Sequence, residues 1–337
     1  MRAGTAVWFS ARETVELCTH PGRAPSDHEV YVEATCSLIS SGTEMLVYRG
    51  HRAPDEPLGV ETCEGSFGFP VKYGYQVIGE VREAGRKTQH LLGRRVFARH
   101  PHQDAFTLRA DPNLVVALPD EVTDEQAAFA NLYDVALNAL MDAPVHRGDV
   151  VVVLGLGIIG LIVTDELTRM GAHVIGVDPI GHRRGIAREL GATGVAPSEA
   201  RDAANALSEG RGADIAFEVS GAASGLQTAF EVTGADGTIC VVAYYGTKDL
   251  TVRPAHHFHF RSQRVVSTSV VNVNAALSRR WTRARRFNEA LRRTSNIDID
   301  LFISDRFPLS EAPAAYRLVA EPNPETMGVL LEHRCRI

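Results

Sequence analysis

The sequence predicts an α/β protein, with a β-rich first part followed by a doubly wound parallel sheet. Three observations carry that expectation. Through the first 120 or so residues, short apolar runs alternate with Gly and Pro punctuation. After Gly148-Asp149 the apolar runs alternate instead with helical patterns. A glycine-rich turn, Gly155-Leu156-Gly157-Ile158-Ile159-Gly160, sits where one such run meets one such helix.

In the first part, residues 30–39, 76–83 and 94–98 read as strands and 50–57 as a loop, the pattern of a partly open barrel. Thr123 and Gln126 have the spacing of a capping box, so a helix is expected to start there and run toward Met141. Residues 150–154 form an apolar, β-branched run suited to a strand buried on both faces. Helices are expected over 158–170 and 182–190, and strands over 173–177, 215–219, 238–243 and 264–266. Such alternation implies parallel strands joined by right-handed crossovers. Residues 279–293 place many arginines on a helical pattern and read as a solvated face, with an anion site as the alternative.

Composition limits the function classes. The 337 residues allow two domains, and 45% hydrophobic with 23% charged residues is ordinary for a globular protein. A net charge of −6 offers no basic field for nucleic acid or a membrane surface. No apolar run approaches the ~20 residues that span a bilayer, and the N-terminal residues lack a signal-peptide core. The five cysteines, Cys18, Cys36, Cys63, Cys240 and Cys335, are scattered, which fits a reducing compartment. A cytoplasmic protein acting on a small molecule is expected.

The glycine turn carries the sharpest chemistry. In a dinucleotide fingerprint Gly155 makes the tight turn, Gly157 lets a diphosphate approach the backbone, and Gly160 lets helix and strand pack. The helix then opens with Ile158 and Ile159, whose N–H groups lie at its positive end. Asp178 follows at the spacing of the ribose-binding acid and would repel a 2′-phosphate, favouring NAD. Arg183 and Arg184 nearby are residues that could accept such a phosphate instead. Without a ligand, the same residues would make only a glycine turn and a helix-capping aspartate.

The order of these parts resembles the medium-chain dehydrogenase/reductase superfamily. Ser41-Gly42-Thr43-Glu44, Gly74-Tyr75-Gln76-Val77-Ile78-Gly79-Glu80-Val81, Gly93-Arg94-Arg95-Val96, the Gly155 fingerprint, Glu218-Val219-Ser220-Gly221 and Gly237-Thr238-Ile239 carry the resemblance over nearly the whole chain. It implies a GroES-like catalytic domain of residues 1–124 and 300–337 and a Rossmann NAD-binding domain of residues 125–299. It also implies a homodimer through the Rossmann sheet edge, and cofactor contacts from Ser220 and Ser267. Tyr244, at the carboxyl end of a parallel strand, is a further candidate contact for a ligand there, with a substrate-pocket wall or packing of the domain edge as its alternatives.

Zinc members of the superfamily place metal ligands where this chain has Ser41, Tyr75 and Asn131, none of them a good zinc donor. No C-x-x-C occurs that could form the structural zinc lobe. The chain therefore resembles a zinc-less branch, marked by Ser40-Ser41-Gly42-Thr43-Glu44, Phe69-Pro70-Val71-Lys72-Tyr73-Gly74-Tyr75 and His100-Pro101-His102-Gln103-Asp104, and no metal is expected. More distantly it is similar to the hydroxyethyl-bacteriochlorophyllide dehydrogenases.

Without zinc, proton transfer must fall to side chains. Tyr75, at the lost histidine position, and Thr43, matching the relay hydroxyl, are the first candidates; His100 and His102 follow. The residue matching the usual next relay histidine is Leu46. Glu44 reads as a brace of the Thr43 turn, and His256, His257 and His259 as an interface or substrate-wall segment. The expected function is NAD(H)-dependent interconversion of an alcohol and a ketone or aldehyde. The alternatives are zinc-free NAD(P)H-dependent reduction of activated C=C bonds and a non-catalytic dinucleotide-binding protein.

Overall fold

The computed structural model describes residues 3–321, 323 and 325–333, so Cys335 lies outside the described residues. The other four cysteines are free thiols. Among the described residues, no helix is long and apolar enough to cross a membrane. The chain divides into two compact units, Met1–Asn131 with Leu291–Ile337, and Leu132–Ala290.

The first unit begins with strands β1 (Gly4–Ala11), β2 (Thr14–His20) and β3 (Glu29–Leu38), then helix α1 (Thr43–Tyr48). Strands β4 (Glu64–Gly65), β5 (Val71–Lys72), β6 (Val77–Ala84), β7 (Arg95–Ala98), β8 (Ala105–Arg109) and β9 (Val115–Ala117) follow, then α2 (Asp124–Ala127). The capping box is formed: Thr123 Oγ1 accepts from the Gln126 N–H at 3.2 Å, and Gln126 Oε1 accepts from the Thr123 N–H at 3.1 Å.

Helix α3 (Ala130–Asp142) leads into the alternating part: β10 (Val150–Leu154), α4 (Ile158–Met170), β11 (His173–Val177), α5 (Gly181–Glu189), β12 (Thr193–Val195), α6 (Ala200–Leu207), β13 (Ala213–Glu218), α7 (Ala223–Val232) and β14 (Thr233–Val241). It ends with α8 (Ala255–Phe260), β15 (Arg264–Ser267) and α9 (Arg283–Arg293). The chain then returns to the first unit with α10 (Ile299–Phe302), β16 (Ile303–Pro308), α11 (Ala312–Ala320) and β17 (Gly328–Glu332).

The first unit holds a seven-stranded sheet ordered β16-β17-β3-β6-β7-β9 with β8 paired to β3, and a four-stranded sheet ordered β2-β1-β5-β4. One core lies under β1, β5, α1 and α11, where Phe9, Tyr48 and Tyr316 meet edge to face or stacked. A second, built from Val30, Val32, Val77, Val96 and Phe106, fills the interior of the larger sheet.

The second unit is one parallel sheet ordered β12-β11-β10-β13-β14-β15, the doubly wound arrangement. All five residues of β10 are buried, as expected of a central strand covered on both faces. Its register sets what emerges at the carboxyl edge. Leu154 pairs with Val177 and Glu218, Glu218 with Val241, and Val241 with Ser267. The chain segments after β10, β11, β13, β14 and β15 therefore leave the sheet side by side.

Candidate functional site

In the second unit the fingerprint occupies that carboxyl edge. Gly155 has φ +95°, and a Cβ there would come within 2.7 Å of the Ser220 backbone. A Cβ on Gly160 would lie 1.9 Å from the Gly155 carbonyl oxygen, so only glycine lets α4 pack this close to β10. A Cβ on Gly157 would meet nothing within 4 Å, so this face of the turn stands open. Gly157 is the N-cap of α4 and provides no side-chain cap, so the first N–H groups, from Ile158 onward, are left available for an anion.

Asp178 stands one residue beyond β11 and is buried. Its Oδ2 accepts from the Leu156 N–H at 2.8 Å and its Oδ1 from the Ile180 N–H at 2.8 Å. The carboxylate thus joins the fingerprint turn to the next loop and keeps further lone pairs for a ribose hydroxyl. Arg183 Nη1 lies 4.0 Å from Asp178 Oδ2, while Arg184 donates to the Asp178 and Pro179 carbonyls at 2.8 Å each.

Glu218, which sequence reasoning treated only as part of a motif, organises the neighbouring loop. Fully buried, it accepts from the Ser220 N–H at 2.8 Å, the Gly221 N–H at 3.1 Å and the Ser220 hydroxyl. Tyr245 OH also donates to it at 2.5 Å. Tyr244 is half exposed and Ser267 exposed, both at the same edge of the sheet.

In the first unit, a separate cluster gathers around Glu44. α1 is too short to be stable alone. Glu44 anchors its first turn by accepting from the Ser40 N–H at 3.1 Å. The same carboxylate accepts from Tyr316 OH of α11 and lies 2.9 Å from His102 Nε2. Ser37 Oγ sits 2.7 Å from His102 Nδ1 and 2.7 Å from His333 Nε2. Burial lowers the His333 ring to about 3, and its Nδ1 has no partner among the described residues. Glu44 and His102 have no exposure at all.

Tyr75 joins this cluster from the segment just before β6. Its hydroxyl donates to Ser40 Oγ at 2.7 Å, and Thr43 Oγ1 lies within hydrogen-bonding reach. Burial and the nearby Glu44 charge push the phenol up to about 12. Tyr73 meets the Tyr75 ring edge to face at 6.0 Å, and Phe67 meets Tyr73 at 5.3 Å.

The four candidate proton-handling residues thus occupy two kinds of place. Tyr75 and Thr43, which is half-buried, share the hydroxyl group of the cluster. His102 is walled in, with both ring nitrogens engaged. His100 is also buried; it stacks on Phe106 at 3.8 Å and bonds the Pro101 carbonyl through Nδ1 at 2.8 Å. Burial takes its ring down to about 3, so it stays neutral at ordinary pH. The segment that carries both histidines folds inward, with the His102 carbonyl accepting from the Val7 N–H of β1.

The residues that the resemblance matches to zinc ligands are engaged differently from one another. Ser41 is exposed, Tyr75 is committed to Ser40, and Asn131 Oδ1 accepts from Arg99. Among the described residues no three His, Cys, Asp or Glu side chains converge as metal ligands, His256, His257 and His259 included.

A family described as zinc-binding dehydrogenase matches residues 159–289, a span that contains none of the ligand positions. D-guloside 3-dehydrogenase of Shigella flexneri is 28% identical over 349 residues, covering 95% of this chain and 98% of its own. The chain belongs to the medium-chain dehydrogenase/reductase superfamily. Solved structures of similar fold include one described as a zinc-binding dehydrogenase of Sinorhizobium meliloti 1021 bound to NADP, at TM-score 0.77 and 20% identity, covering 98% of this chain and all of that one. Another is described as a short chain alcohol dehydrogenase of Escherichia coli CFT073 complexed with NADH, at TM-score 0.78 and 16% identity, covering 98% and 99%. As a superfamily member the chain has the GroES-like and Rossmann architecture.

Proposed function

We propose that this protein is an NAD(H)-dependent oxidoreductase that interconverts an alcohol and a ketone or aldehyde without a catalytic zinc. The observation that carries the reading is the Tyr75–Ser40–Thr43 hydroxyl cluster, standing at the superfamily's metal-ligand and relay positions in a chain whose dinucleotide fingerprint is intact. The open face at Gly157 and the uncapped start of α4 suit a diphosphate. Asp178 supports NAD over NADP, because a buried carboxylate beside the ribose would repel a 2′-phosphate.

When bound, a dihydronicotinamide supplies the hydride. The chain's own part is the proton. With its proton held so tightly, Tyr75 serves as a neutral donor to a developing alkoxide, and Ser40 and Thr43 hold the phenol in line. The donor set at residues 41, 75 and 131 favours this route over a metal-bound one. A relative that acts on a guloside at its 3-position points to a polyhydroxylated or glycosidic alcohol as the substrate class.

Two copies would associate through the edge of the parallel sheet. β15 is an edge strand, Val265 on it is 45% exposed, and Phe260 just before it is 76% exposed. The location proposed is the cytoplasm, in keeping with free cysteines.

The test is a screen of secondary alcohols, glycosides and their keto forms with NAD(H), using protein whose metal content has been measured. Turnover at sub-stoichiometric zinc, lost in Tyr75→Phe, supports the reading. Turnover that tracks zinc content, or survives unchanged in Tyr75→Phe, contradicts it.

A further inference from the structure

Helix α9 was expected to present its arginines to solvent, and Arg283 and Arg285 do so. Arg286 does not. It has no exposure, and its guanidinium is fully engaged. Nε donates to Asp134 Oδ1 at 2.7 Å and Nη2 to Asp134 Oδ2 at 3.4 Å. Nη1 donates to the Asn138 side-chain oxygen and to the Asn272 carbonyl at 2.8 Å, and Nη2 donates to the Val270 carbonyl at 2.7 Å. A buried charge survives only when paired and fully hydrogen-bonded, so the site demands an arginine rather than a lysine.

The two carbonyls belong to the segment that follows β15, and other bonds clasp that segment to α3 as well. Thr268 Oγ1 donates to Asp142 Oδ2 at 2.7 Å and accepts from Asn138 Nδ2 at 2.5 Å, while Asn274 Nδ2 donates to the Met141 carbonyl at 3.3 Å. Positions 268, 270, 272 and 274 are tied down, whereas Ser269 is exposed and Val271 is 57% exposed. Strand order places this segment. In a doubly wound sheet the dinucleotide crosses the carboxyl edge, with its adenosine half beyond β10 and β11, where the fingerprint and Asp178 stand. Its nicotinamide half then falls toward β13, β14 and β15, and the clasped segment leaves the end of β15.

We propose that Arg286 is a positioning residue for the nicotinamide half of the cofactor, holding residues 268–274 as a preformed wall. The inference rests on the cofactor reading above. A segment ordered before binding spares the ligand that entropy, so loosening it should weaken one half of the dinucleotide and not the other.

The experiment compares NADH with ADP-ribose, or NADPH with its 2′-phosphate counterpart if the wild-type protein prefers it. Affinities are measured for the wild type, Arg286→Lys and Thr268→Val. The expected result is NADH affinity lower by ~10-fold in Arg286→Lys and ~3-fold in Thr268→Val, with ADP-ribose unchanged within about twofold. Equal losses for both ligands would make the network purely structural and overturn the proposal, as would no loss for either. If Arg286→Lys fails to fold, Thr268→Val decides alone, and an unchanged ratio of the two affinities overturns it. Wild-type protein that binds neither ligand contradicts the cofactor reading itself, and this role falls with it; wild-type binding with unaltered selectivity in the variants sinks only the role of Arg286.

Discussion

Glu44 Oε2 lies 2.9 Å from His102 Nε2, and neither side chain is exposed at all. With Nε2–H donating to the carboxylate, His102 Nδ1 is left to accept from the Ser37 hydroxyl, which in turn accepts from His333 Nε2–H. Glu44 also receives Ser40 N–H and Tyr316 OH, so one buried carboxylate ties β3, α1, the loop after β7 and α11 together.

Removing it should therefore be costly. Glu44→Ala strands three donors in the interior and is expected to lower stability by about 3 kcal/mol or more. Glu44→Gln keeps an acceptor and should cost less. Urea unfolding of both variants checks the order.

Tyr75→Phe removes the proposed proton donor and leaves the ring in its aromatic setting beside Tyr73. Carbonyl reduction should slow by about 100-fold or more, with cofactor affinity unchanged. Steady-state and binding measurements on the same sample separate the two effects.

His100 makes stability depend on pH. Its folded ring titrates at about 3, below the ordinary histidine value of 6.5, so the unfolded chain binds the proton more readily. The contribution is fully present above 6.5 and is lost as pH falls toward 3. For this ring alone, stability should drop by roughly 1.5 kcal/mol between pH 6.5 and pH 5, and His100→Phe should flatten the profile. Thermal or urea unfolding across that range checks it.

The fingerprint glycines should separate by role. Gly157→Val adds a side chain into open space and is expected to leave the melting temperature unchanged while weakening cofactor binding by ~10-fold or more. Gly160→Ala meets the Gly155 carbonyl and should lower stability itself. Calorimetry and cofactor titration of the pair distinguish them.

Much of the second unit is legible in the sequence because its signals are local. The expected helix over 158–170 and strand over 173–177 coincide with α4 and β11, since an apolar run, a glycine turn and a helical period need no distant partner. The Thr123 capping box is legible for the same reason. The Glu44 cluster is not. Tyr316 and His333 lie 272 and 296 residues from their partners, and no spacing rule spans such a distance. The arginine run on α9 shows the opposite failure: its pattern reads as a solvated face, and only the carboxylate of Asp134, 152 residues away, reveals that Arg286 is interior. His100 and His102 are expected to handle protons, and nothing nearby in sequence tells that their segment bonds to β1 and buries both rings.

Whether the enzyme works with NAD(H) and without zinc is decided by fluorescence titration of metal-analysed protein with NADH and NADPH. NADH is expected to bind more tightly, without stoichiometric zinc, and the preference is expected to be lost in Asp178→Ala. Preference for NADPH would contradict the role given to Asp178, and one zinc per chain would contradict the role given to Tyr75.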